Sequence, residues 1–245
     1  MKRTFSVLLP QAVTFSAFSF LAAFSLPAAA QSAGSNIVQL GWFHLYTDDS
    51  SDPLTLVQPP AGALPGTGAK VDSADTLGIA YTHFFTDNFA LTLDAGIPPK
   101  FHLDGDGSLS GLGRLGSAKQ WSPAVVAKWF FGDANDKWRP FVGIGATHVW
   151  YTSVELTPAL QSYIAPIPGG SASAKLSSSW APVANIGINY NFDKNWSVGF
   201  SLSYIPLDTD ADLTGRDASG NVISRARTNL TLDPYVTFLS IGYKF

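Results

Sequence analysis

The end of the chain alternates between two kinds of side chain with a period of two. From Tyr235 to Phe245 every second residue belongs to a largely apolar set, and the residues between them are smaller and mixed. This period is that of a β-strand with one apolar face. A chain end usually frays, whereas a closed membrane barrel needs its last strand to pair with its first. The pattern therefore predicts a barrel whose final strand runs to the carboxyl terminus.

Seven earlier segments show comparable alternation or are rich in β-formers. Each is about ten residues long, which is the length that a tilted strand needs to cross a bilayer. In the segment from Trp196, apolar Val198, Phe200 and Leu202 alternate with serines and a glycine. The eight predicted strands lie near 36–47, 75–86, 89–98, 121–131, 138–151, 178–191, 195–206 and 231–245.

The connections between these segments alternate in length. Those near 87–88, 132–137 and 192–195 are tight, and those near 48–74, 99–120, 152–177 and 207–230 are long. Both chain ends fall on the side of the tight turns. This alternation is typical of outer-membrane barrels. It predicts an all-β fold, an eight-stranded antiparallel transmembrane β-barrel with short periplasmic turns and four long extracellular loops.

Aromatic residues are predicted at two levels, as expected for two membrane interfaces. The set near the periplasmic ends is Trp129, Trp138, Tyr190, Trp196, Tyr243 and Phe245. The set near the outer ends is Tyr46, Trp121, Trp150, Trp180, Tyr204 and Tyr235. Scattered core aromatics in a soluble sandwich are the alternative interpretation of the same residues.

The amino end predicts export. Lys2 and Arg3 precede a long apolar stretch that ends in Ala28-Ala29-Ala30. A charged start, an apolar middle and a small-residue cleavage site form a secretory signal peptide, although residues 5–24 are nearly long enough to be a membrane anchor. We expect residues 1–30 to be removed and residues 31–245 to form one barrel domain, exported through the periplasm to the outer membrane.

Composition fits this location. Only 13% of residues are charged, 13% are aromatic and 22 are glycine, against about 25% charged in typical soluble domains. The chain has no cysteine, so disulfides and thiolate metal sites are excluded. A net charge of −3 gives no support to nucleic-acid binding. Membrane lipids and lipopolysaccharide are the expected surroundings, and the barrel-assembly machinery is the expected partner of the terminal strand.

Five segments carry a recognisable pattern: Pro123 to Phe131, Trp138 to Gly145, Asn185 to Tyr190, Asp233 to Tyr235 and Ile241 to Phe245. Together they resemble the outer-membrane protein W family of small eight-stranded barrels. The similarity begins near Val38 and is strongest from Pro123 onward. It implies a narrow channel for small hydrophobic molecules, which cross the lipopolysaccharide leaflet and leave sideways through the barrel wall.

The inward faces of the predicted strands suggest a solute path above a polar plug. An eight-stranded barrel is normally filled by side chains or holds one small ligand. We expect a narrow cavity in the outer half, with the path lined by Phe84, Phe141, Gly143, Gly145, Gly187 and Gly199. The predicted plug consists of Asp94, Lys128, Arg139, Asn189 and Lys244. The same polar groups could instead only hold the barrel rigid, since polar interiors are common in such barrels.

The connection 152–177 is unusually apolar for an outer loop. Leu160, Tyr163 and Ile164 are candidate gate residues that would capture apolar solutes. Their alternative role is to pack the loop onto neighbouring loops. Thr157-Pro158 is expected to begin a short helix.

Other motifs point to no cofactor, metal or catalytic residue. Gly111 to Gly116 fits a dinucleotide-binding pattern but lies before a strand rather than after one. The spacings Asp104-x-Asp106 and Asp208-x-Asp210-x-Asp212 lack the downstream glutamate of a calcium loop. The four histidines, His44, His83, His102 and His148, accompany no recognisable catalytic motif. We expect no enzyme; a structural or partner-docking barrel, and less so a lipid A-modifying enzyme, are the alternatives to a channel.

Overall fold

The computed structural model describes residues 31–58 and 61–245, so the predicted signal peptide lies outside the described residues. It contains one α-helix, α1 (Pro158–Ile164), and one 3-10 helix (Ser110–Leu112). Among the residues described, no helix is long and apolar enough to span a membrane. The strands are β1 (Asn36–Tyr46), β2 (Ser50–Ser51), β3 (Thr55–Leu56), β4 (Gly62–Ala63), β5 (Thr67–Val71), β6 (Ala74–Phe84), β7 (Phe89–Gly96), β8 (Lys100–Gly107), β9 (Arg114–Trp121), β10 (Ala124–Phe130), β11 (Trp138–Leu156), β12 (Ser171–Leu176), β13 (Ser179–Asn191), β14 (Trp196–Tyr204), β15 (Asp208–Arg216), β16 (Val222–Thr231) and β17 (Tyr235–Lys244).

Eight of these strands close into a barrel. In order around the wall they are β1, β6, β7, β10, β11, β13, β14 and β17, and each pairs antiparallel with the next. The final strand β17 pairs with β1 from Ile37 opposite Lys244 to Tyr46 opposite Tyr235. Closure leaves no free strand edge in the wall. The predicted eight-stranded antiparallel barrel is confirmed.

Short and long connections lie at opposite ends of the barrel. Residues 85–88, 131–137 and 192–195 form the tight turns, at what we call the turn end. The longer connections leave the opposite end, which we call the loop end. Because β1 begins and β17 ends at the turn end, both termini of the barrel are there.

The outer surface of the wall is a band of exposed apolar side chains. Leu40, Leu77, Ile144 and Ile241 are more than half exposed, and they alternate with inward residues. A monomer in water rarely exposes so continuous an apolar surface, whereas a membrane barrel requires it. Aromatic pairs flank the band: Trp138–Tyr190 and Trp196–Tyr243 towards the turn end, and Trp121–Trp150 and Tyr204–Tyr235 towards the loop end.

The long connections contain strands of their own, which the sequence analysis did not predict. Strand β11 continues beyond the barrel and pairs with β9, which is followed by β8 and β5. A second sheet contains β12, β15, β16, β3 and β4, with β2 also pairing β16. Their facing sides bury a separate apolar core, composed of Leu54, Leu109, Leu115, Leu160, Ile164, Leu213, Leu230 and Leu232 among others. We call these two sheets and α1 the extension.

Some glycines of the wall make room for aromatic rings of the lumen. A Cβ added to Gly78 would collide with the Phe43 ring, which stacks on Phe238 with ring centres 4.0 Å apart. We expect Gly78→Ala to destabilise the barrel by about 1–3 kcal/mol, because the packed ring pair must shift. Urea unfolding in lipid vesicles, followed by tryptophan fluorescence, would measure the loss.

The matched control is Gly111→Ala, because an added Cβ there has nothing within 4 Å. We expect this variant to unfold at nearly the same urea concentration as the unmodified chain. Equal destabilisation by the two substitutions would contradict the packing explanation.

Candidate functional site

A buried arginine closes the lumen at the turn end. The Arg139 side chain is fully buried. Its guanidinium donates hydrogen bonds to three backbone carbonyl oxygens, those of Phe131 at 3.0 Å, Gln31 at 3.1 Å and Asp87 at 2.6 Å. Charge-assisted bonds of this kind are stronger than neutral ones. Arg139 thereby ties two turns and the segment before β1 together across the base of the barrel.

An aromatic layer lies next to this arginine. The Phe130 ring centre is 4.9 Å from those of both Phe84 and Phe141. Arg139 approaches the Phe130 ring to 5.6 Å and Lys128 approaches the Phe141 ring to 4.8 Å. Ordered rings under two cations leave little room for a solute to pass straight through. Phe84 and Phe141, which were predicted to line the solute path, thus lie in the closed base of the lumen and in the lining of neither cavity described below.

The predicted plug residues do not form one cluster. Lys128 and Asn189 are buried in the lumen, and Lys244 is half-buried at the end of β17. Asp94 attracts Lys128 electrostatically, but it pairs across the sheet with Ala124 at the last rung between β7 and β10. Asp94 therefore lies in the wall of a cavity above the plug rather than within it.

The four predicted path glycines do not line that cavity, because larger neighbours fill the space above them. An added Cβ would meet Phe141 at Gly187, Val126 and Lys128 at Gly143, Asn189 and Gln39 at Gly199, and the backbone of strand β10 at Gly145. These glycines permit close packing of the lower lumen. The open space lies nearer the loop end.

A lower cavity of about 290 Å³ lies near the loop end of the barrel. Most of its lining side chains are apolar, with few polar groups among them. Representative lining residues are Phe43, Thr76, Asp94, Val183, Ser203 and Val236. Mostly apolar walls with few polar groups are characteristic of sites for small organic molecules.

The lower cavity meets a gap in the barrel wall. The ladder between β7 and β10 stops at Asp94 opposite Ala124. The next backbone hydrogen bond between the two segments is the one that Gln120 N donates to the Pro99 oxygen at 3.1 Å. Within the described chain, no rung or backbone hydrogen bond joins 95–98 to 121–123. We call this gap the window. Ile97 and Trp121 line the lower cavity and are also exposed on the outside of the wall.

Both sides of the window are held by neighbouring strands, so it is not a frayed end. On one side the Thr76 hydroxyl donates to the Ile97 oxygen at 2.6 Å. On the other, the Thr147 hydroxyl donates to the Pro123 oxygen at 3.0 Å. Pro98, Pro99 and Pro123 lack the N–H that a ladder needs. These prolines were a sequence signal for the window that the strand predictions missed.

An upper cavity of about 110 Å³ lies inside the extension. Leucines from β8, β9, β12, β15 and β16 supply much of its lining. The side chain of Gln120 is buried and lines both cavities. The two apolar spaces therefore meet at this residue, which the sequence did not single out.

Helix α1 covers one side of the upper cavity. The Thr157 hydroxyl accepts a hydrogen bond from Leu160 N at 3.4 Å, and Pro158 occupies the first turn, so the predicted helix start is confirmed. Leu160 and Ile164 are buried in the core of the extension, and Leu160 lines the upper cavity. Tyr163 is exposed on the outside. Of the three candidate gate residues, only Leu160 touches the cavity.

The acidic spacings belong to β-strands. Asp208, Asp210 and Asp212 project from β15, with Asp212 bonded to Arg227 at 2.6 Å. Hydrogen bonds from the Gly107 backbone and from Lys70 lower the pKa of the Asp106 carboxyl. In the described residues, no group of three or more His, Cys, Asp or Glu could hold a metal ion. Gly111 to Gly116 leads into strand β9, not into a helix.

The histidines lie apart from one another. His44 bonds Asp75 at 2.8 Å, His83 bonds Asn36 at 2.8 Å, and His148 packs on Trp150 and Trp180. The Nδ1 atom of His102 is buried without a hydrogen-bond partner in the described structure. Among described residues, no histidine ring bonds a serine or threonine hydroxyl, the arrangement that a serine nucleophile would need.

Comparison with known proteins supports one family. Outer membrane protein W of Vibrio cholerae serotype O1 is 28% identical over 90% of this chain and 93% of its own. The crystal structure of OprG from Pseudomonas aeruginosa, 26% identical, covers 89% of this chain and 99% of its own with a TM-score of 0.77. The dibenzothiophene metabolism operon protein PahQ of Pseudomonas aeruginosa is 26% identical over 74% of this chain and 77% of its own. The OmpW family model matches residues 32–245, so the chain belongs to the OmpW family of outer-membrane proteins.

Proposed function

We propose that the protein is a passive channel of the outer membrane for small hydrophobic molecules, which leave sideways through the window. In this membrane the turn end faces the periplasm and the extension faces the exterior. The observation that carries the proposal is the position of the window: it opens from the lower cavity, above the level at which the lumen is closed. A solute would pass from the upper cavity by Gln120 to the lower one and then into the lipid.

A straight route to the periplasm is disfavoured by the chemistry of the plug. An apolar solute would have to part the Arg139 hydrogen bonds and the layer of three phenylalanine rings. Separating a buried charge from its partners costs several kcal/mol, on the order of a whole binding energy for a small solute. The window requires no such step, because its sides are not bonded to each other.

The name of one relative agrees with an apolar solute. PahQ is named for an operon of dibenzothiophene metabolism, and dibenzothiophene is a flat aromatic compound without charge. A compound of that type would favour apolar walls over water. This supports small apolar molecules as the solute class of the present chain.

The direct test is uptake by cells that have a lipopolysaccharide outer membrane. We expect cells producing the full chain to take up octane and dibenzothiophene faster than matched cells without it. Equal rates would contradict the channel and favour a structural or partner-docking barrel. Release of lipid A acyl chains by the purified protein would instead favour the enzyme alternative.

The window itself can be tested by restoring hydrogen-bond donors to its two sides. We expect Pro98→Val combined with Pro123→Val to slow octane uptake about five-fold, because one new net bond of about 1 kcal/mol shifts the wall towards the closed form. Uptake rates at equal amounts of folded protein would measure the change. Pro182→Val on the outward face of β13 is the control, and an equal effect there would contradict a role for the window.

A further inference from the structure

Gln120 presents an unpaired amide to the route between the two cavities. Its side chain is only 6% exposed, and it lines both cavities. Its side chain makes no hydrogen bond to any other described residue. The amide is therefore available to bond a molecule that enters either cavity.

Backbone pairing fixes the position of Gln120, from which its side-chain amide extends. Gln120 N donates to the Pro99 oxygen at 3.1 Å, and Gln120 lies opposite Tyr151 in the pairing of β9 with β11. The Tyr151 hydroxyl is already bonded to the Thr209 hydroxyl at 3.0 Å. The amide is therefore positioned by two strands but not committed to another side chain.

The surroundings of the amide are apolar. Phe101 lines the upper cavity, Leu45 and Val149 line the lower one, and all three are buried. An alkane passing this point would satisfy these walls and leave the amide unpaired. A molecule with one oxygen atom on an apolar body would satisfy both, because an amide offers two donors and an acceptor.

We propose that Gln120 is the polar subsite of the channel and binds the oxygen of a neutral oxygenated apolar molecule, such as a medium-chain alcohol or ketone. Carboxylates are less suited, because bringing an unpaired charge between these apolar walls is costly. This inference rests on the proposed channel function and adds a selectivity to it.

The size of the effect follows from one neutral hydrogen bond. The net value of such a bond corresponds to about a five-fold change in an equilibrium or rate. We therefore expect the ratio of 1-octanol uptake to octane uptake to be about five-fold higher in the unmodified channel than in a channel that lacks the amide.

The test compares uptake of octane and 1-octanol by cells producing the full chain, Gln120→Met or Gln39→Met. Methionine keeps the length of glutamine without its amide. Gln39 is a matched control, since it is also buried but bonds Ser240 at 3.1 Å and lies outside both cavity linings. We expect the ratio of octanol to octane uptake to fall about five-fold in Gln120→Met and to stay unchanged in Gln39→Met.

The outcomes separate the two proposals. If the unmodified protein does not accelerate octane uptake, the proposed channel is wrong, and the proposed subsite is wrong with it. Accelerated octane uptake with the same ratio in Gln120→Met would overturn the subsite alone. If Gln120→Met does not fold, the side-chain amide signal of ¹⁵N-labelled Gln120 in lipid nanodiscs decides: a shift with 1-octanol but not octane supports the subsite, and equal responses reject it.

Discussion

Ala124→Trp is expected to slow octane uptake by about ten-fold or more. Ala124 lines the lower cavity and pairs with Asp94 at the last rung below the window. The largest side chain at this position would occupy the space through which a solute must turn to reach the lipid. An added barrier of about 1.4 kcal/mol to passage around this ring slows uptake ten-fold. Uptake per amount of folded protein would measure the effect.

The same strand provides the control. Ala127 lies on the opposite face of β10, opposite Leu91 and Ile144 in the two adjacent strands. Ala127→Trp adds the same side chain towards the lipid, where aromatic residues are tolerated. We expect uptake close to that of the unmodified chain, and similar losses in both variants would contradict a solute path past Ala124.

Arg139→Met is expected to cause the largest loss of stability, about 3–5 kcal/mol. The substitution leaves three carbonyl oxygens, those of Gln31, Asp87 and Phe131, without the donor that they bond. Each buried unpaired group costs about 1–3 kcal/mol. Urea unfolding in lipid vesicles would measure the loss, and slower folding of the turn end should accompany it.

Arg227→Met is the matched control for charge. Arg227 bonds Asp212 at 2.6 Å, but both side chains are exposed on the extension. An exposed ion pair contributes about 0–1 kcal/mol, so this variant should unfold nearly as the unmodified chain does. A small effect of Arg139→Met, no larger than that of Arg227→Met, would show that the base of the barrel does not depend on the arginine.

The wall of the barrel was predictable because its signals are local. Alternation places Leu239 and Ile241 towards lipid and Ser240 towards the lumen whatever the rest of the chain does. Tight turns at 85–88 and 192–195 bring consecutive strands together without long-range information. The closing contact between β1 and β17 follows, because a barrel in lipid cannot leave an edge unpaired.

The acidic residues of β15 in the extension have a different role from the one that their spacing suggested. Asp208, Asp210 and Asp212 resembled an incomplete ion-binding loop, but Thr209 and Ala211 between them are buried against the other sheet. The spacing of the acids is therefore the solvent face of strand β15. The period of two was present in the sequence, yet only packing against the other sheet decided which side is buried.

The glycines of the lumen mark the limit of local inference. Small residues such as Gly78 and Gly187 predict space, but Phe43 and Phe141 fill it. These rings come from other strands, and which ring lies over which glycine depends on register and strand tilt around the barrel. The position of the lower cavity could not be obtained from the inward faces alone.

By itself, the sequence determined the eight-stranded wall, its two faces and its closure at the carboxyl terminus. The reason is that a strand in lipid must have apolar side chains on its outer face and a paired backbone along its length. Only the tertiary structure decided where that wall opens and what lies behind the opening. The window depends on β7 and β10 parting at Asp94 and Ala124, and Gln120 reaches the route only because β9 returns beside β11. Such features arise from contacts between distant segments, which no periodicity within one segment records.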